Sequence, residues 1–268
     1  IAAVVVRGWN FGNSLQYFLA FILYKYAYQL PVNYQRAPIP RWLFADFLQF
    51  IFETPSSFQQ KEELDGYCQY MQGLIDYMRS NALTNTNPEV RQSLAAFIKK
   101  NIDLTPLYLQ DLPLGDTWKK LADIWEFALQ NEGHQLDYNF PSRITSKRGD
   151  RSLIRIGFLL DKLSPNQQTF AIIALIKYLD RQKFDLVVYN LRVENDIVAQ
   201  YCQKLAVEIV QLPESLPQQA ERIRRDDLDL LWIGADPTAI ANQIADLALH
   251  RLARVQLIPG TSAPDSTG

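Results

Sequence analysis

Between Arg155 and Asp180 the chain reads "RIGFLLDKLSPNQQTFAIIALIKYLD": five apolar residues, then Asp161, Ser164, Pro165 and Asn166, then apolar periodicity again. That pattern is a strand, a polar loop and a helix. The loop therefore stands at a strand's carboxyl end, where open α/β sheets keep their ligands. Comparable polar stretches follow later apolar runs: "NLRVEND" after "FDLVVYNL", "GADPTAIANQ" after "LDLLWIG", and "PGTSAPDSTG" after "ARVQLI". They offer hydroxyls, amides and backbone donors, and the positive end of a helix dipole favours an anionic or hydroxyl-rich ligand. Taken singly, Ser164, Asp196 and Asp236 read as helix caps. Four such loops on one rim make a binding cleft an equal alternative. Thr238 and Asn242, one turn apart at the start of a helix from Pro237, are further cleft-lining candidates.

The same residues exclude several chemistries. A single glycine, Gly157, stands where a dinucleotide fingerprint needs three, and no phosphate-loop motif is present. Two cysteines, Cys68 and Cys202, lie far apart without metal-ligand or redox spacing, and read as buried thiols. No metal site is expected. Of the two histidines, His134 reads as a surface or capping residue at a helix end, and His250 as a helix-end imidazole favoured by the dipole. A net charge of -2 with no run of one sign argues against a nucleic-acid partner. The most apolar segment, Leu15 to Leu30, is interrupted by Gln16, Lys25 and Gln29 and reads as a buried core helix, so no membrane partner is expected. Cysteine usage and the lack of a signal peptide point to the cytoplasm. The chain begins at Ile1 and stops at "PDSTG", so either end can be a cut through a longer protein.

Positioning these loops requires two kinds of element. Residues 1–140 carry helical grammar: a Ser-rich cap before "KEELDGYCQYMQGLIDYMRS", with Leu64, Tyr67, Met71, Leu74, Ile75 and Met78 at helical spacing, then "NPEVRQSLAAFIKKN" and "GDTWKKLADIWEFALQNEG", the last closing at Gly133. Residues 141–152, rich in Ser, Gly and basic residues, form a linker. Residues 153–268 alternate buried apolar runs with amphipathic helices from Pro165, Asp196, Pro217 and Pro237, the signature of a parallel sheet covered on both faces. The fold class is an all-α region followed by a Rossmann-like α/β lobe.

The order "IRIGFLL…SP…LDRQKFDLVVYNL…YCQKLA…IVQLP…IRRDDLDLLWIG…TAIANQIADLALHRLARVQ…PDSTG" resembles the O-GlcNAc transferase and SPINDLY-type glycosyltransferases, family 41, and looks closest to their cyanobacterial branch. The resemblance runs from Arg151 to Gly268 and extends into "LTPLYLQDL…LADIWEFALQNEGHQLDYNFP". It implies the helical region and first lobe of a two-lobed GT-B enzyme that works without a metal or cofactor, using a nucleotide sugar as donor and a protein as acceptor. It also implies that the second, donor-binding lobe is missing here, so that the fragment itself is inactive. Relatives often carry a histidine next to a proline in the first loop. This chain has Ser164, Pro165 and Asn166, and an amide cannot act as a base at neutral pH. Either that histidine is not an essential base or this protein is a weakened member. "APDSTG" resembles the family's Pro-Gly-Thr-Thr-Gly loop, with Pro264, Ser266, Thr267 and Gly268 matching and Asp265 replacing a glycine; "PGTSA" at Pro259 is a rival alignment. His250 falls where relatives often have Arg-Pro-Ala-Pro.

The resemblance thus implies transfer of a sugar, GlcNAc from UDP-GlcNAc, to Ser or Thr of proteins. The alternative is a catalytically degenerate GT-B-like binding or scaffold protein, favoured by Asn166 and Asp265. A sugar-nucleotide epimerase or glycogen-synthase-like enzyme would share the alternation of strands and helices, but does not predict "LALHRLARVQ" ahead of "PDSTG".

Overall fold

Apolar residues at helical spacing build the first part of the chain. A computed structural model describes residues 26–30, 41–103, 105–109, 114–142, 153–192, 197–205, 207–234 and 243–258. Contacts divide the chain into a helical unit that runs to Ala128 and an α/β unit that begins at Leu129.

Among the described residues its α-helices are α1 (Phe44–Ile51), α2 (Lys61–Thr84), α3 (Pro88–Asn101) and α4 (Gly115–Asn131). On α2 the stripe Tyr67, Met71, Leu74, Ile75 and Met78 is buried, and Leu64 is half-buried. The Ser-rich stretch ahead of α2 is not its cap. Gln60 holds the N-cap position without a side-chain bond, and Glu63 instead reaches back to accept the Gln59 N–H at 2.8 Å. α3 starts as its sequence predicts: Asn87 Oδ1 accepts the Glu89 N–H at 3.0 Å, and Pro88 occupies the first turn, where a missing N–H costs nothing. Most of the core helix expected over Leu15–Leu30 lies outside the described residues. Its last part is no α-helix, since Tyr26 is extended and Ala27–Gln29 make one 3-10 turn. Cys68 is buried and free, and burial pushes its thiol up to about 11.

Helix α4 ends where Gly133 adopts φ +88°, the left-handed conformation that glycine tolerates best, with Gly133 N–H donating to Gln130 O and His134 N–H to Leu129 O, both at 3.0 Å. Residues 134–142 then run without regular structure as a strap on the α/β unit. The Arg224 guanidinium donates to Gln135 O at 3.0 Å and Leu136 O at 2.8 Å and lies over the Tyr138 ring. Arg254 donates to Pro141 O at 2.8 Å and lies over the Phe140 ring. This segment, grouped with the helices on sequence, therefore packs with the sheet. Residues 143–152 of the expected linker lie outside the described residues.

The sheet holds β1 (Ile154–Lys162), β2 (Phe184–Arg192), β3 (Glu208–Gln211), β4 (Leu230–Ile233) and β5 (Val255–Leu257), all parallel, in the order β3-β2-β1-β4-β5. Between them come α5 (Gln167–Tyr178), α6 (Ile197–Lys204), α7 (Leu216–Arg225) and α8 (Gln243–Ala248). Side chains alternate across each strand. Ile156, Phe158, Leu160, Leu186 and Val188 face Ile172 and Ile176 of α5 and Val198 and Cys202 of α6. Leu159, Val187 and Tyr189 face Ala220 and Ile223 of α7 and Ile244 and Leu247 of α8. The helical region followed by a Rossmann-like α/β lobe is thus the observed architecture. Among the described residues before Tyr138 there is no strand.

The amino end of the sheet carries a buried ionic network. Arg155 of β1 reaches Glu208 at 3.0 Å, Asp185 at 3.5 Å and Asp226 at 3.7 Å. Asp226, just past α7, accepts from Tyr189 Oη and from Arg222, each at 2.5 Å. Burial and the Asp226 charge hold the Tyr189 hydroxyl far above its ordinary range, so it stays protonated and donates.

Candidate functional site

Helix α5 begins where β1 ends, and Asn166 makes the junction. Its backbone is extended (φ -145°, ψ 168°), its Oδ1 accepts the Thr169 N–H at 2.8 Å, and its Nδ2 donates to Ser164 Oγ at 3.1 Å. Asn166, not Ser164, is therefore the helix cap. Ser164 is buried and supports that cap from below, while Pro165 between them is exposed. Asn166→Ala should lower stability by about 1 kcal/mol, and Asn166→Asp, which keeps the capping oxygen, should stay near the parent. Thermal denaturation of both variants checks this, and an Ala variant that melts with the parent contradicts it.

The strand order fixes where this loop sits. The chain steps outward from β1 to β2 to β3 and then crosses to β4 on the other side of β1, so the reversal lies between β1 and β4. The crevice outside those two carboxyl ends is where open α/β sheets bind ligands. Residues 163–166 follow β1 there, and Gly234, whose N–H donates to Leu159 O at 2.8 Å, follows β4. Asp196, Asp236, Thr238, Asn242, Asp265, Pro264, Ser266, Thr267 and Gly268 lie outside the described residues.

Sequence reading missed several polar groups on this rim. Arg192 at the end of β2 forms a two-point ion pair with Asp161 of β1, at 3.0 and 2.9 Å. Gln219, almost fully buried on α7, donates to Pro213 O at 2.7 Å and accepts from Gln243 of α8 at 3.3 Å. An Arg and an Asp that follow apolar runs are a recognisable signal. The Gln219–Gln243 pair joins residues with no motif between them.

The chain's two histidines do not reach the crevice. Helix α8 leads into β5, so its end lies at the sheet's amino edge, opposite the rim. There His250, 2% exposed, bonds through Nδ1 to Asp246 O at 2.9 Å and stacks edge-to-face on His134 with ring centroids 5.6 Å apart. His134 is half-buried, with Nε2 3.7 Å from Glu132, rather than a surface residue.

No protein-family model matches this chain, and no curated protein matches it. Among solved structures it is similar to a mutant of the Thermobaculum terrenum O-GlcNAc transferase, at 14% identity, over 74% of this chain and 36% of that one, with a TM-score of 0.43. The chain spans about a third of that protein's length. A likeness of this size carries no assignment of family or activity.

Among the described residues, no group of three or more His, Cys, Asp or Glu side chains could hold a metal, and no helix is long and apolar enough to cross a membrane. The helical unit has its own open hollow of about 610 Å³, lined by Thr54, Phe58, Lys61, Asp103 and Leu109 among others. It contains none of the candidate binding residues named from the sequence.

Proposed function

We propose that this chain is the helical region and first lobe of an inverting GT-B glycosyltransferase that moves GlcNAc from UDP-GlcNAc onto Ser or Thr of proteins. One observation carries the reading. The apolar runs of the resemblance, from Ile154 to Leu257, fall in order on β1 to β5, and its first loop follows β1 at the sheet's switch point. In such a reaction the acceptor hydroxyl attacks the anomeric carbon, the bond to UDP breaks, and the acceptor proton must leave. Neither Ser164 nor Asn166 can take that proton at neutral pH. Their part is to shape and position. Asn166 spends its oxygen on Thr169 and its amide on Ser164, so the loop is held rigid before any ligand arrives.

The donor-holding lobe, in this reading, lies outside these 268 residues. Calorimetric titration of the chain with UDP should therefore give a Kd no tighter than about 1 mM, with no UDP-GlcNAc turnover. Micromolar affinity contradicts the division of labour between lobes.

A non-catalytic binding or scaffold protein is the second reading. The observation favouring it is the absence of an imidazole from the first loop, together with the stacking of both histidines at the opposite edge of the sheet.

A further inference from the structure

Thr169, Ile172 and Ile176 form one inward stripe of α5, at i, i+3 and i+7, each no more than 1% exposed. Ile172 and Ile176 pack on Phe158, Leu160, Leu186 and Val188 of the sheet. Thr169 continues that stripe to the carboxyl end. On β2, Leu186 and Val188 face the layer of α5 and α6, and alternation puts Asn190 next on the same face, beside Leu160 in the register. The two polar side chains therefore close the same end of one helix–sheet interface. Thr169 Oγ1 and Asn190 Oδ1 are both sealed from solvent, and neither has a protein hydrogen-bond partner among the described residues. The Asn190 amide cannot simply be turned over, because its nitrogen donates to Arg192 O at 3.3 Å, and an oxygen placed there would face an oxygen.

We propose that Thr169 and Asn190, beneath the amino end of α5, form a niche for a single hydroxyl oxygen, one that accepts from Thr169 Oγ1 and donates to Asn190 Oδ1. The two side chains select this chemistry. Asn190 Oδ1 only accepts, so the occupant must donate; an anion or a carbonyl cannot. An ammonium could donate to both oxygens but would leave the buried Thr169 hydroxyl proton without an acceptor. The Thr169 backbone N–H, which would otherwise draw an anion to the helix end, is already taken by Asn166. A water or an alcohol fits, and buried polar groups with complementary needs are satisfied in this way. The inference does not rest on the transferase reading.

Magnetic resonance on the whole ¹⁵N-labelled chain tests it. In the ligand-free protein, a long-lived water cross-peak to the Asn190 side-chain amide assigns the oxygen to resident water. Its replacement, on adding glycerol or N-acetylglucosamine, by a cross-peak from the additive to the Thr169 methyl assigns it to a ligand alcohol. Absence of both overturns the proposal. Thr169→Val gives an independent sign. With the niche filled, the variant deprives the bound oxygen of a partner and melts a few degrees lower. With the niche dry, it removes an unpaired buried hydroxyl and melts at the same temperature or higher, which also overturns the proposal. Should the variant fail to fold, the cross-peaks of the parent protein still decide.

Discussion

Replacing Asp226 by alanine should destabilise the protein by about 3–5 kcal/mol, the cost of removing one partner from a buried ionic cluster. Asp226 is 8% exposed and serves three groups at once: the Tyr189 hydroxyl, the Arg222 guanidinium and, at longer range, Arg155. Without it, Tyr189 loses its acceptor in a fully buried position. Arg155 keeps Glu208 and Asp185, whose side chains are half exposed, so its charge is not stranded entirely. Tyr189→Phe removes only one hydroxyl and leaves Asp226 paired with arginine, so it should cost about 1–3 kcal/mol. Urea unfolding of the two variants gives the comparison. A loss below that of Tyr189→Phe for the alanine variant would mean that the cluster adds little to stability.

Gly157→Val should cost about 2–3 kcal/mol through overpacking. Gly157 lies in the middle of the central strand, facing α7 and α8, and a Cβ there would stand 2.6 Å from Leu228 Cδ1, 2.9 Å from Leu231 Cδ1 and 3.1 Å from the Tyr189 ring. Both leucines and the tyrosine are fully buried, and the tyrosine is further tied by its bond to Asp226. They have little room to yield. The higher strand propensity of valine offsets only part of this. The midpoint of a denaturant titration reads the effect, and a variant at parental stability would show that the pocket collapses around the new side chain. In the sequence this glycine stands alone, and a dinucleotide fingerprint is absent. Close packing is its role here.

The strands were legible because each is a short apolar run bounded by polar residues. In a parallel sheet covered on both faces, that pattern has few other readings. Helix α2 was legible by periodicity, and Gly133 by the left-handed turn that only glycine makes cheaply. The Asn166 loop was legible as a site of interest, but which of its side chains caps α5 was not. Ser164, Asp161 and Asn166 all have capping side chains, and only the backbone path decides which one reaches the free N–H groups. The Tyr189–Asp226–Arg155 cluster and the His134–His250 stack were not legible at all. Their members are distant in sequence and meet only because the β3-to-β4 crossover and the strap bring them to the amino edge. The strap itself carries no strand or helix pattern; two arginines and two aromatic rings hold it, and spacing alone does not pair them.

The most direct measurement is incorporation of labelled GlcNAc from UDP-GlcNAc into protein by the product of the complete reading frame that contains this chain. The account predicts label on Ser or Thr hydroxyls, released by base-catalysed elimination. It also predicts that Ser164→Ala, in enzyme shown to be folded, lowers turnover several-fold, because losing about 1 kcal/mol of positioning in the transition state has that effect. A folded full-length product that binds UDP-GlcNAc but leaves every acceptor unlabelled would contradict the transferase reading and favour the scaffold.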